Sequence, residues 1–225
     1  MKKSTLLLNH TRLKASQIHK FRGFVGNLFR NYDVIHNHDP DTGKVIYRYP
    51  LIQFKLLRGV PAIIAITDEA VGAFAAIFMA LDKIRIDDAE IPVYEKDLCL
   101  EEVEFGYSAE MYVYEFVSPW IGLNQKNYHK YAGMKDKTET DEMLKRALTG
   151  NILSMSKYLG CWLEKDQKIR TEVQVRERPI NLKGKSMIGF MGMFKTNFII
   201  PDFLGLGKSV SRGFGTVAKK LKVDG

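Results

Sequence analysis

The C-terminal part of the chain contains the stretch Gly205-Leu206-Gly207-Lys208-Ser209-Val210-Ser211-Arg212-Gly213-Phe214-Gly215, which has four glycines in eleven residues. Glycine adopts positive φ without steric cost and lets the backbone approach a ligand closely, so exposed N–H groups can converge on an anion. Two hydroxyls and two cations in the same stretch add further donors. The composition predicts an anion-binding loop, with an ordinary glycine-rich connection before a final strand as the alternative.

The tripeptide Gly207-Lys208-Ser209 also occurs in nucleotide-binding P-loops. That motif requires a further glycine where Asp202 stands in this chain. We therefore reject an NTPase.

Upstream of this stretch, the N-terminal part of the chain shows the hydrophobic periods of alternating strands and helices. In chain order it predicts a strand over Ser4–Asn9, a helix from Ala15 or Ser16 to about Asn31, a hairpin of Asp33–His38 and Lys44–Leu57, a strand over Val60–Thr67, a helix from Thr67 or Asp68 to Leu81 and a strand over Lys83–Asp87. This is the β-α-β-β-α-β order of a ferredoxin-like unit with one additional strand.

The C-terminal part repeats the alternation less regularly. It predicts strands over Glu101–Phe105 and Glu110–Val117, a helix from Thr138 or Glu139 to about Leu163, and extended segments over Lys168–Arg176, Lys185–Phe198 and Thr216–Leu221. The predicted fold class is α+β, with two tandem ferredoxin-like (RRM-like) units and antiparallel sheets. Element order places the boundary near Asp87–Pro92, with residues 1–88 in the N-terminal unit and 89–225 in the C-terminal unit.

Composition excludes several classes of protein. The chain has 225 residues and is 45% apolar, which fits an ordered soluble protein. Its longest apolar runs, Val60–Ile66 and Ala70–Leu81, are shorter than the ~18 residues of a membrane span. Two separated cysteines, Cys99 and Cys161, indicate neither a disulfide framework nor a thiolate zinc site. We expect a cytoplasmic protein without a metal or other cofactor.

Charge is unevenly distributed along the chain. The formal net charge is +8, residues 1–31 contain seven basic residues and no acid, and residues 87–115 contain ten acids and one lysine. Positive charge collects again in the last portion of the chain. Such blocks are solvated faces, or else the two basic ends form one cationic groove with the acidic stretch on the far side. The groove would suit an anionic partner such as nucleic acid.

The tripeptide His36-Asn37-His38 is the candidate catalytic site. Side chains two residues apart on a strand share a face, so both imidazoles would point the same way, next to Tyr47 on the facing strand. Two groups that titrate near neutral pH can act as base and acid, which is what cleavage of RNA by its own 2′-hydroxyl requires without a metal. The alternative is a pair of hairpin-edge histidines with no role.

The stretch Ser118–Tyr131 mixes aromatic, amide and cationic side chains, as surfaces that stack unpaired bases do. Packing of a helix–strand corner is the better reason for Trp120 alone. His129 is a second-choice catalytic candidate. A single histidine in a loop is usually just solvated, which is why it ranks below the pair His36 and His38.

Taken together, these three stretches resemble the CRISPR-associated RAMP proteins, and among them the repeat-RNA-processing endoribonucleases of the Cas-six family. The resemblance covers nearly the whole chain. It implies tandem ferredoxin-like units, a C-terminal glycine-rich loop at Gly205–Gly215, and a catalytic histidine after the first helix, where His36 and His38 stand.

The resemblance further implies metal-independent cleavage of precursor CRISPR RNA within its repeats, leaving a 2′,3′-cyclic phosphate and a 5′-hydroxyl. It makes His36 or His38 the general base and the other the acid or a transition-state stabiliser, with Tyr47 and Lys44 in support. The residues expected to hold the RNA are Gly205, Gly207, Lys208, Ser209, Ser211, Arg212, Gly213 and Gly215.

A non-catalytic RAMP subunit that holds guide RNA in an interference complex is the alternative function, and only the histidine pair separates the two. The expected partners are CRISPR repeat RNA and, beyond it, subunits of such a complex. We expect a monomer or homodimer with no membrane partner.

Overall fold

A computed structural model describes residues 1–29, 49–182 and 184–220 of the chain. The chain forms two compact units. Unit 1 consists of Met1–Val103 and the short segment Val210–Gly213, and unit 2 consists of Glu104–Ser209 and Phe214–Gly225. No helix in the described part of the chain is long and apolar enough to cross a membrane.

Unit 1 is a ferredoxin-like unit with an inserted hairpin. Its elements are β1 (Lys2–Asn9), a 3-10 turn (Ala15–Gln17), α1 (Ile18–Leu28), β2 (Ile52–Leu57), β3 (Val60–Ile66), α2 (Asp68–Ala80), β4 (Lys83–Ile86), β5 (Ala89–Pro92) and β6 (Glu95–Glu102). The main sheet has the order β2-β3-β1-β6 with antiparallel neighbours, and β4 pairs with β5 in a separate two-stranded sheet.

The core of unit 1 forms where α1 covers the sheet. Ile18, Phe21 and Val25 of α1 recur at helical spacing and are buried. The ring of Phe21 meets that of Phe54 on β2 edge to face, with centroids 5.3 Å apart. Residues 58 and 59, which connect β2 to β3, both have positive φ, at 51° and 84°, as a two-residue type I′ hairpin turn requires.

Two predictions for unit 1 are corrected. The Lys83–Asp87 strand exists as β4, but its partner is β5, and the fourth strand of the main sheet is β6. β6 takes that place because it pairs with β1 along its whole length, from Lys2↔Glu102 to Asn9↔Glu95. Unit 1 accordingly extends to Val103 rather than to residue 88, and it also includes part of the glycine-rich stretch.

The predicted hairpin of Asp33–His38 and Lys44–Leu57 falls largely on residues 30–48, which lie outside the described part of the chain. Within the described part, the second predicted strand is β2, and β2 forms its hairpin with β3. The strand we predicted as additional is therefore a regular member of the fold.

Unit 2 has the same strand order. Its elements are β7 (Gly106–Phe116), α3 (Gln125–Gly133), α4 (Lys137–Tyr158), β8 (Thr171–Leu182), β9 (Lys185–Ile199) and β10 (Val217–Lys219). The sheet order β10-β7-β9-β8 corresponds to β6-β1-β3-β2 of unit 1. The two four-stranded sheets thus confirm the ferredoxin-like prediction. Residues 200–216 contain no helix and occupy the position in the chain that α2 occupies in unit 1.

The core of unit 2 is aromatic. Trp120 and Phe116 stack with centroids 5.3 Å apart and ring planes 4° apart, and Phe190, Phe194 and Phe198 of β9 are all buried. The predicted long helix is α4, which ends at Tyr158 rather than near Leu163, and α3 was not predicted.

Candidate functional site

In unit 1, the segment Val210–Gly213 lies along β2, which has β3 as its one neighbour in the described sheet. The Phe54 N–H donates to the Ser211 carbonyl (3.3 Å), and Phe54 and Arg212 form a parallel β-bridge. An edge strand presents unpaired backbone groups that attract another extended segment. Four residues of the glycine-rich stretch therefore extend the sheet of unit 1.

Gly213 fits where a side chain would not. Its φ is +89°, and an added Cβ would lie 3.2 Å from Ile18 Cγ2 and 3.4 Å from the Phe54 carbonyl oxygen. Positive φ disfavours every residue with a Cβ. The glycine at this position therefore allows the segment to approach both α1 and β2.

Arg212 on this segment and Arg22 on α1 form a pair of like charges. Arg22 is one helical turn after Ile18, so both point to the same side of α1. Burial, and then the positive charge of Arg212, lower the pKa of Arg22. Both arginines are partly buried, and neither forms an ion pair with a described carboxylate. Two guanidiniums that repel each other, with no carboxylate partner among the described residues, would be stabilised by a phosphate oxygen.

A buried lysine of β2 also binds the segment Val210–Gly213. Lys55, next to Phe54 on β2, is completely buried, and its Nζ donates to the Val210 carbonyl oxygen (3.2 Å). Burial lowers the pKa of Lys55 to about 7. Successive residues of β2 thus bind successive carbonyls of the segment.

In unit 2, the rest of the glycine-rich stretch is tightly folded on its own backbone. The Leu206 N–H donates to the Gly215 carbonyl (2.9 Å), and the Lys208 N–H donates to the Ile121 carbonyl (2.9 Å). A Cβ on Gly215 would lie 2.0 Å from the Leu206 carbonyl oxygen, and one on Gly207 would lie 2.6 Å from the Ile121 oxygen.

The glycines of this stretch were predicted to expose backbone N–H groups, and the packing bears on that prediction. Gly205 and Gly215 are buried, and the N–H groups just described bond to carbonyls of the same chain rather than facing solvent. The N–H groups of Leu206 and Lys208 are therefore not available to an anion. Lys208 is exposed, and Ser209 and Ser211 are partly exposed. Exposed and partly exposed polar side chains thus lie between glycines that allow close packing of the backbone.

In the stretch Ser118–Tyr131, residues 120–123 are buried and residues 124–131 are exposed or partly exposed. Trp120 is completely buried, and its indole N–H donates to Asn151 Oδ1 (2.9 Å), so its predicted role in packing a corner is confirmed. The Ser118 hydroxyl accepts from the Thr216 N–H (2.9 Å), which ties the end of the glycine-rich stretch to unit 2. His129 lies on α3, not in a loop, and is exposed.

The acidic stretch does not lie apart from the N-terminal cations. In unit 1, Lys3 pairs with Glu101 (2.8 Å) across β1 and β6, and Lys20 Nζ donates to Asp87 (2.7 Å). The prediction that this acidic stretch lies on a far side is therefore wrong for unit 1. Among the described cations of the basic block, Lys2, Lys3 and Lys20 are paired with carboxylates, whereas Arg12, Lys14 and Arg22 form no ion pair with a described carboxylate.

The predicted catalytic residues His36, His38, Lys44 and Tyr47 lie outside the described residues. In the sequence they fall between α1 and β2, the two elements that hold Val210–Gly213. Arg22 and Lys55 were not singled out in the sequence. Arg22 is one of several cations on its block, and only the burial of Lys55 distinguishes it from a lysine on an exposed strand face.

Comparison with known families matches both halves of the chain. A model described as the Cas6b N-terminal domain matches residues 1–104, and one described as the Cas6b C-terminal domain matches residues 106–220. The boundary between the two matches falls where unit 1 gives way to unit 2.

Individual relatives agree with this match. A crystal structure of Cas6b has a TM-score of 0.90 at 32% identity and covers 97% of this chain and 99% of that chain. A crystal structure of a CRISPR RNA processing endoribonuclease Cas6b has a TM-score of 0.79 at 32% identity, with 98% and 100% covered. An uncharacterized protein of Methanocaldococcus jannaschii is 45% identical over 116 residues, which are 52% of this chain and 78% of that protein.

Proposed function

The chain belongs to the Cas6b family, and on that basis we propose that it is an endoribonuclease that cleaves precursor CRISPR RNA within its repeats. The observation that carries the proposal is the electrostatic interaction of Arg212 with Arg22 in unit 1, two guanidiniums without a carboxylate partner among the described residues. In the sequence, both candidate histidines follow α1, the helix that carries Arg22. A matched relative is described as a CRISPR RNA processing endoribonuclease.

The reaction we propose needs no metal. One histidine of the pair His36 and His38 removes the proton of the 2′-hydroxyl, and the 2′-oxygen attacks the adjacent phosphorus. The bond from phosphorus to the 5′-oxygen breaks, and the other histidine gives that oxygen a proton. The products are a 2′,3′-cyclic phosphate and a 5′-hydroxyl. Tyr47 and Lys44 support the transition state.

RNA binding is assigned to side chains rather than to the glycines. Arg212 and Arg22 bind backbone phosphates in unit 1, as guanidinium groups without carboxylate partners do. Lys208, Ser209 and Ser211 add contacts from the glycine-rich stretch. Binding through phosphates makes the affinity fall with rising salt.

The test is cleavage of labelled CRISPR-repeat RNA in EDTA by the wild-type protein and by a His36→Ala/His38→Ala variant. The same RNA with a 2′-deoxy substitution at the cut position is the substrate control. We expect cleavage of the normal RNA by the wild type alone, with the cyclic phosphate identified by mass spectrometry of the upstream product.

Other results would redirect the proposal. Cleavage of the deoxy substrate, or loss of activity in EDTA, would contradict attack by the 2′-hydroxyl without a metal. Tight binding without cleavage would instead favour a non-catalytic RAMP subunit that holds guide RNA, and His36 and His38 would then have no catalytic role.

A further inference from the structure

Lys55 is an unusual residue for its place in the fold. It is completely buried on β2, opposite Ala62 of β3. Its amine donates one hydrogen bond, to the Val210 carbonyl oxygen at 3.2 Å, and among the described residues it has no carboxylate partner. An amine in such a place loses its hydration and gains little in return.

A lysine here lowers stability relative to an apolar residue of similar length. Replacing buried charged groups with well-packed hydrophobic ones is often neutral or stabilising. The lowered pKa of Lys55, about 7, reflects the same penalty on its charged form. An apolar residue would fill this core position on β2 at a lower cost in stability. The hydrogen bond to Val210 is therefore the reason we give for a lysine at this position.

That bond acts on the segment that carries Arg212. The Lys55 amine holds the Val210 carbonyl, and the neighbouring Phe54 N–H holds the Ser211 carbonyl at 3.3 Å. Both contacts come from β2, so they fix the position and direction of the segment immediately before Arg212. Without the amine, one backbone bond and the parallel bridge remain.

We propose that Lys55 is a positioning residue that clamps the Val210–Gly213 segment onto β2 and so presents Arg212 to the RNA backbone. The clamp itself is a property of unit 1, and only the identity of the ligand rests on the proposed function. Lys55 does not touch the RNA in this account, because it is completely buried.

The experiment compares Lys55→Met with the matched control Gln53→Met. Gln53 lies on the same face of β2 and is also completely buried, and its amide donates to the Pro50 carbonyl (3.1 Å). Three quantities are measured for each variant: amide hydrogen exchange at Phe54 and Gly213 without RNA, the Kd for repeat RNA, and the free energy of unfolding in urea.

For Lys55→Met we expect exchange at Phe54 and Gly213 to speed up by roughly tenfold and the Kd to rise by roughly tenfold, the size of one lost charged hydrogen bond. Cleavage at saturating RNA should stay within about twofold of wild type, and the free energy of unfolding should not fall. For Gln53→Met we expect lower stability with unchanged Kd. A lysine with only a structural role would lose stability and affinity together when it is replaced. Weaker RNA binding without a loss of stability in Lys55→Met would therefore indicate a positioning role.

Unchanged exchange at Phe54 and Gly213 in a folded Lys55→Met protein would overturn the clamp. So would a rise in Kd equal to that of Gln53→Met. If Lys55→Met does not fold, Lys55→Gln gives the same comparison, because its shorter side chain cannot span to Val210. If the wild type does not bind repeat RNA, the proposed function fails, and the exchange data still decide whether Lys55 clamps the segment.

Discussion

Arg212, on a segment that joins the edge of the unit 1 sheet, lowers the pKa of Arg22 on α1 through its positive charge, in addition to the larger effect of burial, and neither guanidinium has a carboxylate partner in the described part of the chain. The two residues are far apart in the sequence. Each belongs to one of the two basic portions of the chain. Their positive charges are not neutralised by described carboxylates, whereas Lys20 and Lys3 of the first portion pair with Asp87 and Glu101.

Loss of either arginine should weaken RNA binding without slowing the chemical step. We expect Arg22→Ala and Arg212→Ala each to raise the Kd for repeat RNA by roughly tenfold, and to reduce the slope of log K against log salt by about one. If both bind the same phosphate, the double variant loses less than the product of the single losses. Arg85→Ala, an exposed arginine on β4, is the control. An unchanged Kd for Arg212→Ala would contradict its assignment.

Gly213→Ala should destabilise the protein by about 1–2 kcal/mol, because φ of +89° strains any residue with a Cβ and the new methyl group would press on Ile18. The Kd for RNA should rise as Arg212 is displaced. Gly150→Ala is the matched control, since Gly150 lies inside α4 with nothing within 4 Å of its Cβ position. That control should be as stable as wild type or up to about 1 kcal/mol more stable. Urea unfolding measures both, and equal effects of the two variants would argue against a strained Gly213.

Lys55 should make stability depend on pH. Its pKa is about 7 in the folded protein against an ordinary 10.5, so between these values the unfolded chain binds more protons. The free energy of unfolding therefore rises with pH across this window, by up to about 1.4 kcal/mol per pH unit, and the penalty is complete below pH 7.

Lys55→Met lacks this contribution. Its stability advantage over wild type should be largest near about pH 6 and should shrink steadily toward about pH 10. Urea unfolding of both proteins across this range tests the prediction, and parallel pH profiles would show that Lys55 titrates normally.

Trp120→Phe should cost about 2–4 kcal/mol of stability. The change leaves a cavity between Phe116 and Phe190, and it leaves the Asn151 amide oxygen without the indole N–H. Because Trp120 is completely buried, the Kd for repeat RNA should stay unchanged wherever the variant is folded. A loss of affinity larger than the loss of stability would instead indicate base stacking by the Ser118–Tyr131 stretch.

Local sequence patterns predicted most of the elements. The period of Ile18, Phe21 and Val25 indicated α1, and the β-branched run over Val60–Ile66 indicated β3. The order of these elements led to two ferredoxin-like units, and both sheets have that strand order. These predictions succeed because side-chain period and turn residues act over a few neighbouring positions.

Local sequence patterns did not predict which strands pair with each other in the unit 1 sheet. Local patterns predicted a strand at Lys83–Asp87, which is β4, but they did not predict Glu95–Glu102, which is β6 and the fourth strand of the unit 1 sheet. The choice depends on which strand can pair with β1 over its full length, and that pairing joins residues from opposite ends of unit 1. The predicted boundary between the units was displaced for this reason.

The glycine-rich stretch likewise has features that its sequence predicted and features that only the tertiary structure shows. Its composition predicted an anion site at Lys208, Ser209, Ser211 and Arg212, and RNA binding by their variants is the test of that prediction. Its glycines were expected to offer N–H groups, and the structure engages the N–H groups of Leu206, Lys208, Gly213 and Gly215 within the chain. Only the tertiary structure brings Arg212 to Arg22 and buries Lys55 beneath Val210. Hydrogen bonding at a sheet edge and the loss of hydration on burial depend on which distant residues meet, and no short stretch of sequence contains that information.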